Sequence, residues 1–198
     1  MKLIKEITEE NLEEIRRVLD QDGIIIFPTD TVYGIACNCF SLEGLKKLYA
    51  FKNRPFSKPI NVLTDSISKI ELVASKMNPL EKRLIEKYLP GDLTLILDKK
   101  KNVPDLLTAS LPTVGVRIPN HSIALQILEN YPYPLATSSV NLAGDSPGIE
   151  VEDFIDEFQN KVDIIVDGGK CPIGLASTIV RVEGEEIKIL RQGKLRVE

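Results

Sequence analysis

An α/β fold with a mixed sheet is what this sequence predicts, and three observations lead there. Short β-branched runs such as Ile24-Ile25-Ile26-Phe27 are bounded by Gly23 and Pro28, as buried strands are. Between such runs lie segments whose apolar residues recur at helical spacing, for example Leu12, Ile15, Val18 and Leu19. Near the end, two strand-like runs are separated only by Glu183-Gly184-Glu185, so strict strand–helix alternation is broken. No repeat, low-complexity tract or linker divides the chain, so residues 1–198 are expected to form one domain.

The elements follow in order. Thr8 is placed to cap the first helix, with Ile7 and Leu12 as a hydrophobic staple and Gly23 to end it. Residues 24–27 read as a buried strand and residues 31–39 as a second extended segment. Ser41 caps a helix carrying Leu42, Leu45 and Leu48; a polar loop over 52–59 then returns to strand at 60–63. Asn78-Pro79 followed by Glu81 starts a helix faced by Leu80, Leu84, Ile85 and Tyr88. Further strands are expected at 93–97, 114–118, 164–166, 178–182 and 187–190. Ser122 is placed to cap a helix reaching Leu128, and residues 151–158 read as one more helix.

Composition excludes several classes. The chain has 198 residues, 43% hydrophobic and 27% charged, which is ordinary for a globular protein and rules out disorder, collagen and coiled coil. Its longest apolar stretch, residues 23–27, is far short of the ~20 residues a spanning helix needs. The start turns acidic at Glu6, too soon for a secretory signal, which points to the cytoplasm. Cys37 and Cys39 sit two apart in a strand with no second pair or His cluster to complete a zinc site. The three cysteines are therefore expected to be reduced, buried and structural, and no metal site is expected.

Chemistry concentrates in a few places. Lys46, Lys47, Lys52, Arg54 and Lys58 fall within residues 46–58 with no acid among them, in a chain of net charge −4. The first two belong to a helix and read as a solvated face. The other three lie in a loop stiffened by Pro55 and Pro59, where confined cations are self-repelling until an anion such as a polyphosphate arrives. Thr137-Ser138-Ser139-Val140-Asn141 places short polar side chains at a strand end, either to meet a ligand or to satisfy their own turn. Arg117 interrupts an apolar strand, as a carboxylate-binding residue or as half of a structural ion pair. His121 is the sole histidine, and a surface or helix-start position suits it. G-x-x-x-x-G-K-[ST], G-x-G-x-x-G and G-x-S-x-G are all absent.

Taken together, the motifs resemble those of the YrdC family of threonylcarbamoyl-adenylate synthases. The resemblance rests on Phe27-Pro28-Thr29-Asp30-Thr31-Val32-Tyr33-Gly34, Lys52-Asn53-Arg54-Pro55 with Lys58-Pro59, and Pro90-Gly91-Asp92-Leu93-Thr94. It continues, in family order, with Val116-Arg117-Ile118-Pro119, the residues 137–141 just quoted, Ser177-Thr178-Ile179 and Leu190-Arg191-Gln192-Gly193. It implies a twisted mixed sheet with flanking helices around an open concave site. It also implies synthesis of threonylcarbamoyl-AMP from L-threonine, bicarbonate and ATP, with Mg²⁺ accompanying the ATP and pyrophosphate released. A partner complex then moves the threonylcarbamoyl group to the adenosine next to the tRNA anticodon.

Carried over by position, Lys52, Arg54 and Lys58 would grip the phosphates, Lys52 and Arg54 being the catalytic pair. Thr113, Ser139, Asn141, Ser146 and Arg191 would complete the nucleotide side. Thr31, Arg117, Thr137 and Ser177 would hold threonine, Arg117 meeting its carboxylate with two prongs. Three positions depart from the family pattern: Leu63 stands where some members place a histidine, residues 142–147 are one residue shorter than usual, and Ala176 replaces a larger or acidic residue. The resemblance also implies a single-domain form, without the extra C-terminal domain of longer relatives. Two other readings compete. One is an RNA-binding module of the same fold, opposed by the net charge and the lack of aromatics among the cations; the other is a paralogue with a different carbamoyl-adenylate activity.

Overall fold

The computed structural model of the protein describes residues 1–141 and 146–198. Its strands are β1 (Lys2–Ile4), β2 (Ile25–Phe27), β3 (Gly34–Asn38), β4 (Asn61–Leu63), β5 (Leu93–Asp98), β6 (Thr113–Arg117), β7 (Leu135–Ser139), β8 (Ile164–Val166), β9 (Thr178–Glu183) and β10 (Glu186–Arg191). Among the described residues they join into one ten-stranded sheet, in the order β1-β8-β2-β3-β7-β4-β6-β5-β9-β10. Pairing is mixed: β1 and β2 both run parallel to β8, and β5 parallel to β9, while β3 is antiparallel to both β2 and β7. The helices are α1 (Glu9–Asp20), α2 (Leu42–Phe51), α3 (Ile67–Val73), α4 (Pro79–Tyr88), α5 (Asp105–Thr108), α6 (Ser122–Asn130) and α7 (Ile155–Phe158).

Both faces of the central strands are covered, which is why their sequences are apolar without alternation. On β2, Ile26 joins the larger cluster with Ile35, Leu45, Leu48 and Val62, whereas Ile25 and Phe27 join the smaller one with Ile15, Leu19, Ile127 and Leu128. Cys37 and Cys39 are packed in the larger cluster, and burial pushes the Cys37 thiol up to about 12, so it behaves as a small hydrophobe. All three cysteines are free and buried. No helix among the described residues is long and apolar enough to cross a membrane.

Capping chemistry fixes the helix starts. Thr8 accepts from the Asn11 amide at 3.2 Å, Ser41 from Gly44 at 2.8 Å, and Asn78 and Glu81 exchange a reciprocal capping box at 2.9 and 2.7 Å. Four expectations need correction. Asp22, not Gly23, takes the left-handed position after α1 (φ 59°); Gly23 is there because a Cβ would lie 2.4 Å from Val18. Ser122 is the first helical residue of α6, and the capping position belongs to an extended His121 whose side chain makes no cap bond. Only residues 34–38 of the expected 31–39 segment are strand, because the Thr29 hydroxyl bonds the Thr31 and Val32 amides and the Val32 carbonyl, folding that stretch into a turn. Residues 151–158 are not one helix: a 3-10 turn over Val151–Asp153 gives way at Phe154 (φ −143°) to α7. Phe154 leaves the helical path to pack its ring 5.2 Å from that of Tyr33. The elements β1, α3 and α5 have no counterpart in the sequence reading.

This burial pattern separates core from edge. Ile35→Ala, at a position with no exposure, is expected to cost about 2–5 kcal/mol in urea unfolding. Ile189→Ala, on the exposed β10, should stay within about 0.5 kcal/mol of the parent.

Candidate active site

Cross-strand register gathers polar groups at one end of the sheet. Thr137 lies opposite Ala36 on β3 and Asn61 on β4, Ser139 opposite Gly34, and Leu63 opposite both Leu135 and Arg117. Residues paired this way project to the same side of a sheet. Gly34 keeps that side open, since a Cβ there would fall 2.8 Å from Thr137. The result is an open cavity of about 160 Å³, lined by Gly34, Asn61, Leu63, Arg117, Thr137 and Ser139 of these, by Thr29, Thr31, Val32 and Tyr33, and by Arg54, Thr94, Ser177 and Arg191. That volume is below the ~300–1,000 Å³ of drug-sized ligand sites, so anything larger than a small molecule would extend outward.

Arg117 organises the floor. It is 5% exposed, and its guanidinium donates to the Gly91 carbonyl at 2.8 Å, the Thr31 hydroxyl at 2.7 Å and the Asp30 carboxylate at 2.5 Å. Burial lowers its pKa, opposed by the charges of Asp30 and Asp92. Asp30 is equally buried, and backbone bonds hold its segment: Ile173 donates to the Asp30 carbonyl and Gly174 to the Thr31 carbonyl. Of the two readings of Arg117, the ion pair is thus observed. Three of the five guanidinium N–H groups are used, leaving two beside the cavity.

The cationic loop divides into three different roles. Lys52 is buried, with its ammonium donating to the Ser139 carbonyl and, at 3.0 Å, to Asn141 Oδ1. Burial, reinforced by Arg54, lowers its pKa to about 8. It stands behind Ser139 rather than in the cavity lining. Arg54 does line the cavity, braced by the Lys58 and Pro59 carbonyls at 3.1 and 2.7 Å. Lys58 is exposed, and its carbonyl serves to hold both Arg54 and the Tyr49 hydroxyl.

From the end of β10, Arg191 donates to the Ser177 carbonyl at 2.9 Å and to its hydroxyl at 3.1 Å. Gly193 allows this close approach, because a Cβ there would lie 2.5 Å from the Ala176 carbonyl. Burial and the neighbouring charge of Arg117 lower the Arg191 pKa.

Thr31, Arg54, Arg117, Thr137, Ser139, Ser177 and Arg191 are therefore brought together as the sequence suggested. Leu63 and Ala176, two of the departures, line the same cavity. Thr113 does not join them; it begins β6 opposite Asp98, roughly 13 Å along the strand from Arg117. Ser146 is exposed and outside the lining, and of the segment 142–147 expected to be shortened, residues 142–145 lie outside the described residues. His121 is half-buried, its pKa lowered by burial against the charge of Asp30, and it does not reach the cavity. Sequence reasoning missed Asp30 and Thr94 as site members. Asp30 left a signal: a buried arginine on an apolar strand requires an acid, and Asp30 sits in the motif just after buried β2.

Comparison with known proteins places this geometry. The family model for Sua5, YciO and YrdC, described as telomere recombination, matches residues 17–193.

The chain belongs to this family.

A Sua5/YciO/YrdC relative from Methanocaldococcus jannaschii, whose name assigns threonylcarbamoyl-AMP synthase activity by inference, is 36% identical over all of this chain and 95% of its own length. The threonylcarbamoyl-AMP synthase of Bacillus subtilis is 34% identical over 91% of this chain and 53% of its own. The solved structure of Pyrococcus abyssi Sua5 complexed with L-threonine superposes with a TM-score of 0.94 at 30% identity, over 98% of this chain and 58% of that one. The chain thus spans little more than half the length of these last two. Escherichia coli YciO, at 22% identity and a TM-score of 0.86, shares the fold. The expected twisted mixed sheet with flanking helices is the architecture of this family.

The buried ion pair makes a stability prediction. Arg117→Ala should lose roughly 3–5 kcal/mol in urea unfolding, because Asp30 is left buried without a partner. Adding Asp30→Ala should recover part of that loss; a double variant no better than the single would mean the pair carries no such coupling.

Proposed function

We propose that this chain joins L-threonine, bicarbonate and ATP into threonylcarbamoyl-AMP, releasing pyrophosphate. The observation that carries the reading is one cavity that gathers hydroxyls around a charge-compensated Arg117 together with the guanidinium groups of Arg54 and Arg191. The names of its family relatives support it.

In this reading the two remaining Arg117 N–H groups take the threonine carboxylate, with Thr31, Thr137 and Ser177 around the rest of the amino acid. Arg54, Arg191 and Ser139 meet the nucleotide phosphates, and Lys52 and Asn141 hold Ser139 from behind. Lys58 adds charge at the rim. The threonine nitrogen bonds to the bicarbonate carbon with loss of water. An oxygen of the resulting carbamate then bonds to the α-phosphorus as the bond to pyrophosphate breaks. No side-chain nucleophile is needed, so catalysis is positioning and neutralisation of phosphate charge. The described residues hold no cluster of three His, Cys, Asp or Glu able to bind a metal, and Mg²⁺ is taken to enter as part of the MgATP substrate. The product would pass, in the cytoplasm, to a transferase complex that modifies the adenosine beside the tRNA anticodon.

Pyrophosphate release from MgATP that requires both bicarbonate and L-threonine, and falls when serine replaces threonine, is the expected result. A folded protein that binds ATP without this dependence would instead be a paralogue with another activity, and salt-sensitive RNA binding indifferent to ATP would favour the RNA-binding module. Arg54→Ala should lower kcat/KM for ATP about 100-fold, as lost transition-state neutralisation does. Lys52 gives the pH dependence: with its pKa lowered to about 8, the ammonium is fully charged below that pH and neutral above it. ATP affinity should therefore fall as pH rises through about 8, with proton uptake on binding there, seen as a buffer-dependent calorimetric enthalpy. Lys52→Arg should flatten that profile.

A further inference from the structure

Thr94 is 2% exposed, projects from β5 into the cavity wall, and has no role in the reading above. Its hydroxyl lies 2.7 Å from that of Ser177, which is 5% exposed. The contact is built by the parallel pairing of β5 with β9, where Leu93 lies opposite Thr178 and Thr94 opposite Ile179, so Ser177 arrives just ahead of its strand. The Ser177 oxygen also accepts from Arg191. Each hydroxyl owns one proton and two lone pairs. One of the two protons is spent in the Thr94–Ser177 bond; among the described residues the other has no acceptor, and both groups line the cavity. Arg191 already donates to the Ser177 oxygen, and when Thr94 donates to it as well both Ser177 lone pairs are taken and its own O–H is the one left for the ligand.

We infer that Thr94 is a positioning residue for the amino-acid substrate. By donating to Ser177 it leaves the Ser177 O–H to donate one hydrogen bond to an anionic ligand oxygen while Arg191 stays seated on Ser177. This rests on the synthase reading and adds to it a residue that acts through Ser177. Were Thr94 apolar, Ser177 could turn its proton elsewhere, and the donor would no longer be fixed. A buried hydroxyl without a partner is also costly, which is the physical reason for a second hydroxyl at this depth.

The test is a double-mutant cycle on the full chain, with L-threonine affinity read by calorimetry and fold checked by urea unfolding. Thr94→Val, which keeps the shape and removes the hydroxyl, should weaken threonine binding about tenfold, the loss of one hydrogen bond to a charged group. Thr94→Ser should restore it. In the Ser177→Ala background, Thr94→Val should add less than about a twofold loss, because its action runs through Ser177. Equal losses in both backgrounds, or a serine variant as weak as the valine one, overturn the inference. If the valine variant unfolds early, Thr94→Ala carries the same cycle. Wild-type protein that binds no L-threonine overturns both this inference and the synthase reading, whereas a wild type that binds it with additive losses overturns only the inference.

Discussion

The Asp30–Arg117 pair is the constraint around which the site is arranged. Two opposite charges buried to this degree are tolerable only when their remaining groups are also satisfied. The protein meets that condition by drawing separate segments together. Gly91 offers a carbonyl, Thr31 a hydroxyl, and the 173–174 backbone ties down the Asp30–Thr31 stretch. The turn after β2, the connection before β5 and the end of β6 are thereby fixed relative to one another. A cavity floor with defined shape follows from satisfying that one pair. The same compensation leaves the Asp30–Arg117 pair nearly neutral as a unit, so the net positive charge at the cavity comes from Arg54 and Arg191.

The three cations of the 52–58 loop show how residues of the same charge are separated by depth. Lys52 is buried and proton-labile, Arg54 faces the cavity on two carbonyl braces, and Lys58 is in solvent. Self-repulsion within the loop is relieved by this layering, and by the carbonyl and amide oxygens that receive the Lys52 ammonium. Arginine suits the cavity position because its fork can hold two backbone carbonyls and still present N–H groups outward.

Much of the fold was legible because local rules and burial agreed. The buried strand at β2, the capped helices α1, α2 and α4, and the β9–β10 hairpin all carry signals that depend only on neighbours in sequence. Failures came where tertiary packing decided. Phe154 left a helical path for Tyr33, β1 is a strand because it pairs with β8, and Thr29 turned an extended stretch into a loop. Within the site, motif positions located most lining residues. Partnership was illegible: nothing local says that Lys52 reaches Ser139 or that Thr94 meets Ser177. Each of those facts is set by register across strands far apart in the chain.

The two walls of the cavity differ in how firmly they are anchored. Arg117 and Thr137 sit on strands flanked on both sides and packed on both faces, so moving them requires opening the core. Arg191 ends β10, the last strand of the sheet, whose residues are mostly exposed and which is paired along one edge only. Local opening there costs a small fraction of the global unfolding free energy. The side bearing Arg117 is therefore bound into the core, while the side bearing Arg191 hangs on a strand held along one edge alone, so the two sides of the cavity differ in how readily they can loosen.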